Sequence, residues 1–211
     1  MTYQAPAVNC PLCPRLVAYR DSNQVANPRW FNGAVPSFGS LEARFLVVGL
    51  APGVRGANRT GRPFTGDFAG VLLYRTLIKF GFAEGVYGAD PTDGMVLRDC
   101  RVTNAVRCVP PANLPTPVEI KGCNPYLAQE LAAMRRLRLV LALGGVSHKA
   151  VLRARGLRAN HAPFAHGAVH ELADGLQLVD SYHVSRLNTN TGRLTAEMFE
   201  ALIADIVGRL T

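Results

Sequence analysis

The sequence predicts an α/β fold built on four parallel strands with helices on both faces. Two observations carry this. Four short apolar runs, Arg44–Gly49, Arg101–Val106, Arg138–Gly144 and Leu176–Ser181, have the length and near-continuous hydrophobicity of strands covered on both sides. Helical patterns lie between them, and strands alternating with helices imply a parallel sheet. Taken in order, residues 1–43 form a polar prelude. CPLCPRLVAYRD can enter a helix after Cys13, with Leu16, Val17 and Tyr19 on one face, and NPRWFNGAVPSFGS reads as loop. After the first strand comes a long loop, LAPGVRGANRTGRPFTGDF, then a helix over Asp67–Phe80. Asn124-Pro125 reads as N-cap and first residue of a helix running to Arg136. A further helix spans Val146–Ala154. The last starts at Ala196 behind a Thr195 N-cap, its face set by Phe199, Ile203, Ile206 and Leu210.

The totals fit one domain over residues 1–211. Hydrophobic residues make up 48% and charged residues 18%, which excludes a disordered chain. No apolar run reaches the roughly 18 residues of a membrane helix, and MTYQAPAVNC lacks the pattern of a signal peptide, so a cytoplasmic location is expected. Net charge is +8, with 20 Arg against 3 Lys. Arginine binds phosphate through paired hydrogen bonds, which favours a polyanionic partner; a genome rich in Arg codons accounts for the same composition.

Four segments could carry chemistry. Two residues separate Cys10 from Cys13, and fourteen separate Cys108 from Cys123, a set that could ligate zinc or a [4Fe–4S] cluster; ordinary buried cysteines are the bland alternative. Cys100 reads as a core or strand-end residue. The Gly-rich loop after the first strand is neither a Walker A loop nor G-x-G-x-x-G, but it carries Phe64, a stacking surface for a flat base, and Asp67. Asn104, in TNAV at the end of the second strand, offers a donor and an acceptor that match a pyrimidine edge. SYHVSRLNTNTGRLT, after the fourth strand, is a loop of hydrogen-bond donors suited to phosphate, and its His183 follows a strand at the same sheet edge. His148, His161, His166 and His170 read as surface or packing residues.

Together these residues resemble the iron–sulfur uracil-DNA glycosylases, and within them the type B (family five) enzymes. GLAPGVRGANRTGRPFTGD is similar to that family's first motif, TNAVRCVPP to its central block and HVSRLNTNTGR to its last. One departure is Val184, where the family usually has Pro. The resemblance implies a three-layer α/β/α sandwich with a four-stranded parallel sheet. It implies a [4Fe–4S] cluster on Cys10, Cys13, Cys108 and Cys123, tying the N-terminal segment to the loop after the second strand. It further implies a monomer that flips uracil and other deaminated bases, hypoxanthine included, out of DNA. Leu50, Ala51 and Phe64 would hold the base, and Asn104 its polar edge. His183 would stabilise the departing base and Asp67 the sugar or the attacking water. Arg55, Arg59, Arg62, Ser185, Arg186 and Asn190 would contact phosphate. No lysine in the matched loops offers a Schiff base, so hydrolysis leaving an abasic site is expected. Two alternatives are a non-catalytic iron–sulfur or zinc module that binds nucleic acid, and covalent capture of the abasic sugar through His183.

Overall fold

The computed structural model describes residues 3–211. Along the chain the elements are α1 (Pro14–Ala26), β1 (Phe38–Gly39), β2 (Phe45–Gly49), α2 (Ala57–Thr60), α3 (Phe68–Lys79), β3 (Ala83–Glu84), β4 (Val96–Leu97), β5 (Cys100–Asn104), α4 (Pro117–Ala133), β6 (Leu139–Leu143), α5 (Gly145–Ala154), β7 (Val169–Glu171), β8 (Gln177–Ser181), α6 (Arg186–Asn190) and α7 (Ala196–Leu210). The main sheet has the order β1-β5-β2-β6-β8-β7. Its four inner strands, β5, β2, β6 and β8, are parallel and match the expected four. Two short antiparallel strands, β1 and β7, cap the edges and make six. Edges this short give little template for further strand pairing.

Alternation along the strands assigns the two faces. Phe45 and Val47 of β2 point to one side, against Leu73 and Leu77 of α3 and Phe199, Ile203 and Ile206 of α7. Leu46 and Val48 point to the other, against Leu127 and Leu131 of α4 and Val151 and Leu152 of α5. The result is the predicted three-layer sandwich. Each large apolar side chain buried this way contributes about 1.5–3 kcal/mol. Among the described residues no helix is long and apolar enough to cross a membrane.

α4 starts earlier than the sequence reading had it. Thr116, not Asn124, is the N-cap. Its side chain accepts from the Glu119 backbone N–H, Glu119 returns a bond to the Thr116 N–H, and Pro117 takes the first turn. Pro125 therefore lies inside the helix, where proline ordinarily costs about 3 kcal/mol. Asn124 is not a cap: its Nδ2 donates to the Ala150 carbonyl at 2.8 Å and ties α4 to α5. The longer helix also carries Cys123 on the same rigid element as Glu130. Buried Glu130 receives Arg101 of β5, and Arg107 just beyond β5, in one ion network. That network holds the strand end beneath the site.

Candidate active site

The carboxyl ends of β2, β5 and β8 open onto one cavity of about 250 Å³. Ligands bind at this edge of a parallel sheet because the loops leave it there and the strand backbones stop pairing. Leu50, Ala51, Phe64, Asp67, Asn104 and His183 all line it, as do Ser185 and Arg186. The residues expected to hold a base and to act on its sugar therefore do converge.

Phe64 forms the back wall. It is buried, its ring lies 6.1 Å from the His183 ring, and its backbone is left-handed at φ +51°. A non-glycine residue held there costs of order 1–3 kcal/mol, so its surroundings must over-determine it. They do. Tyr87 Oη donates to the Phe64 carbonyl at 3.1 Å, while that carbonyl fits against α3 only because residue 70 is glycine. A Cβ at Gly49 would stand 2.4 Å from both Phe64 Cζ and Asn104 Oδ1, so glycine at the end of β2 is what lets ring and amide meet.

Asn104 is buried at the end of β5, and its Oδ1 has no hydrogen-bond partner. A buried acceptor without a donor costs roughly 1–3 kcal/mol. The residue also lines the cavity, and its amide carries the donor and the acceptor that a flat polar ligand would need there.

Asp67 is the N-cap of α3, accepting from the Gly70 N–H at 3.3 Å. The loop crosses directly over its carboxylate: a Cβ at Gly56 would meet Asp67 Oδ2 at 2.2 Å. Burial raises the carboxyl pKa, and the backbone N–H bonds offset part of that rise. Burial pushes the His183 imidazole down to about 4, so it is neutral at pH 7 and donates as an N–H without bringing a positive charge. Its loop is fixed from two sides. Asn188 Nδ2 donates to the His183 carbonyl at 2.8 Å, and Val184 is fully buried in the core. Where the family usually has a proline, this chain secures the loop by packing.

The six arginine-loop residues divide. Ser185 caps α6, and Arg186 follows it with its guanidinium 5.3 Å from the Phe68 ring at the cavity mouth. Arg55, Arg59 and Asn190 are exposed and lie outside the cavity lining. Arg62 corrects the sequence expectation of a phosphate contact. Its guanidinium is buried and bonded to both carboxylate oxygens of Asp93, at 2.8 and 2.7 Å, and its Nε donates to Thr65 Oγ1. An arginine so engaged holds the loop together and has no free face for DNA. Three other residues at the site went unnoticed in the sequence: Phe68 and Asn113, which line the cavity, and Leu187, an apolar side chain 72% exposed beside it on α6. An exposed leucine between phosphate-seeking side chains was the available signal.

Cys10, Cys13, Cys108 and Cys123 line a second, small cavity between α1, α4 and the loop after β5. None is in a disulfide. No three of their sulfurs lie within 4.8 Å of one another. Four thiols on one cavity are a donor set that either zinc or an iron–sulfur cluster would use. Cys100 is buried in β5 away from that ring, as expected.

The sequence over residues 36–207 matches the family described as the uracil DNA glycosylase superfamily. It is 47% identical over 196 residues to a type-5 uracil-DNA glycosylase of Thermus thermophilus, covering 90% of this chain and 89% of that one. A type-5 uracil-DNA glycosylase of Pyrobaculum aerophilum is 44% identical, covering 90% and 84%, and one of Mycobacterium leprae 41%, covering 93% and 89%. With this sandwich, this edge cavity and matches that run nearly end to end, the chain belongs to the uracil-DNA glycosylase superfamily and, within it, to the type-5 group.

Proposed function

We propose that this chain is a DNA-repair hydrolase that flips uracil out of DNA and cleaves its N-glycosidic bond, leaving an abasic site without cutting the strand. The carrying observation is the convergence of Phe64, Asn104, Asp67 and neutral His183 on one cavity of about 250 Å³. That volume is below the roughly 300–1,000 Å³ of drug-sized ligand sites and suits a single flat base. The extruded base stacks on Phe64. Its ring N–H meets the unpartnered Asn104 Oδ1, and Asn104 Nδ2 donates to the adjoining carbonyl. As the bond from C1′ to the base breaks, its electron pair leaves with the base, and His183 N–H stabilises the oxygen where that charge collects. Asp67, as the anion, supports the oxocarbenium-like sugar and orients the water that adds to C1′. Because burial raises its pKa, Asp67 is also a competent acceptor for the water's proton. Ala51 has no side chain to activate water, so that work falls to Asp67.

Arg186 and Ser185 at the mouth, with Arg55, Arg59 and Asn190 further out, take phosphates. Leu187 enters the duplex where the flipped base was, as apolar wedges do. The open cavity mouth admits a broader set of deaminated bases, hypoxanthine among them. Cys10, Cys13, Cys108 and Cys123 would hold a [4Fe–4S] cluster, which would supply a structural tie of α1 and α4 to the loop after β5.

Incubating the full chain with a uracil-containing duplex and then treating with alkali tests this. Strand breaks at the uracil position that depend on the alkali step are expected. Absence of breaks on uracil, hypoxanthine and mismatched duplexes, with DNA still bound, overturns the reading in favour of a non-catalytic binding module.

A further inference from the structure

We propose that His148, His170 and Asp180 form a binding site for a divalent transition-metal ion of the zinc class, separate from both the base cavity and the cysteine ring. The three residues come from α5, β7 and β8, so the fold and not local sequence brings them together. Their ligand atoms all lie within 4.8 Å of one another. His148 Nδ1 is 2.8 Å from Asp180 Oδ1, and His170 Nε2 is 3.1 Å from Asp180 Oδ2. Two imidazoles and a carboxylate are a donor set that suits zinc, cobalt or iron(II), with positions left for water.

A second observation concerns the far side of His148. Its Nε2 is 3.0 Å from the Ala162 carbonyl, which can only accept, so Nε2 carries the hydrogen. Metal-bound histidines are oriented in this way, one nitrogen donating to a carbonyl and the other turned to the ion. With Nε2 protonated, Nδ1 presents a lone pair toward a carboxylate, a repulsive contact unless a positive centre stands between them. That centre is either a second proton or a metal ion. Asp180 is fully buried and, among the described residues, its side chain pairs with no arginine or lysine, only with the two histidines.

The geometry needs little change. A tetrahedral ion with donor bonds near ~2.0–2.1 Å sets neighbouring donors roughly 3.3 Å apart, so one oxygen of Asp180 and the two imidazoles, whose ligand atoms already lie within 4.8 Å of one another, would adjust about the ion. His148 and Asp180 are buried, whereas His170 is partly exposed and gives the cluster its accessible edge. An ion here would join α5 to the β7 edge and, through Ala162, hold the loop before β7. Asp180 is three residues from His183 on the same chain, so the ion would also stiffen the strand that leads into the base cavity.

Cobalt(II) is the probe, added to the full chain as purified. Cobalt held by nitrogen and oxygen gives ligand-field bands without the thiolate-to-metal charge-transfer band that cobalt on the cysteines would show, so the two sites are separable in one spectrum. The thiolate-free bands should saturate at one cobalt per chain, be displaced by zinc, and weaken in apparent affinity by at least about 10–100-fold in His170→Ala. His170 is at the accessible edge, so this variant should keep its fold, checked by circular dichroism. Absence of thiolate-free bands in the wild-type chain overturns the proposal, as does their persistence at unchanged affinity in a folded His170→Ala. Neither result depends on whether the chain excises uracil.

Discussion

Replacing Asn104 with alanine separates binding chemistry from folding, because the two should move in opposite directions. Its Oδ1 is buried and unpaired, so folding carries its desolvation cost of roughly 1–3 kcal/mol with no return. Alanine removes that cost, and the space it vacates opens into the existing cavity and leaves no sealed void. Even a gain of about 1 kcal/mol raises the melting temperature of a chain this size by roughly 2–4 °C. Excision should fall, since a hydrogen bond to a base acquiring charge is worth about 1.5–3 kcal/mol, or ~10- to 150-fold in rate. Thermal unfolding by circular dichroism and single-turnover excision from a uracil duplex read the two quantities on one sample. A variant that melts more than about 4 °C lower while excising at the wild-type rate would refute the reasoning, because Asn104 would then be a structural pin.

Asp67→Asn keeps the cap on α3 and drops the buried charge, so it should lose excision while being at least as stable as wild type at pH 7; Asp67→Ala should lose as much excision and sit about 1 kcal/mol below the Asn variant in denaturant unfolding. Since burial raises the Asp67 pKa, acidification through that value protonates the group, and the excision rate should show an acid limb that Asp67→Asn lacks. His183 works the opposite way for stability. Its folded pKa of about 4 lies below the usual 6.5, so acidification from pH 6.5 toward 4 should cost up to about 3 kcal/mol, a loss that unfolding of His183→Gln over the same range should not show. Arg186→Ala should reduce the slope of log affinity against log salt by about 0.9, whereas Arg62→Ala should leave that slope alone and destabilise the fold by about 1.5–3 kcal/mol, because it removes the charged hydrogen bonds to Asp93. Cys108→Ala should bleach the brown absorbance of a [4Fe–4S] cluster and lower the melting temperature; a colourless wild type containing zinc would refute the iron assignment.

The four inner strands and α7 were legible because their signals are local: short apolar runs, and a Thr195 cap before a regular apolar face. β1 and β7 were not, since two or three residues carry no periodicity, and only a neighbouring strand makes them strands. At α4 two N-terminal signals competed. Asn-Pro at 124–125 was plain, but Thr116-Pro117 with Glu119 three residues on from the threonine forms the reciprocal cap, and the interior proline is outweighed by packing. The base-facing residues were readable because each sits just past a strand, where a parallel sheet must open. Arg62 was misread for want of its partner. Asp93 is thirty-one residues downstream, and nothing near Arg62 in the sequence says that its charge is already spent. His148 and His170 read as surface or packing residues, and the carboxylate they share lies on a third element, out of sight of the local sequence.

The way Phe64 is seated limits how a pocket of this kind can diversify. Residue 49 is pressed against the ring and residue 70 against the Phe64 carbonyl, and both already hold the smallest amino acid there is, so neither can be trimmed to let it retreat, and enlarging either one collides with it. Depth is thus frozen. Any drift toward larger or smaller nucleobases has to be made at the entrance, along Leu50 to Gly53 and at Arg186, and a library aimed at new lesions should be randomised there, with the rear wall left untouched.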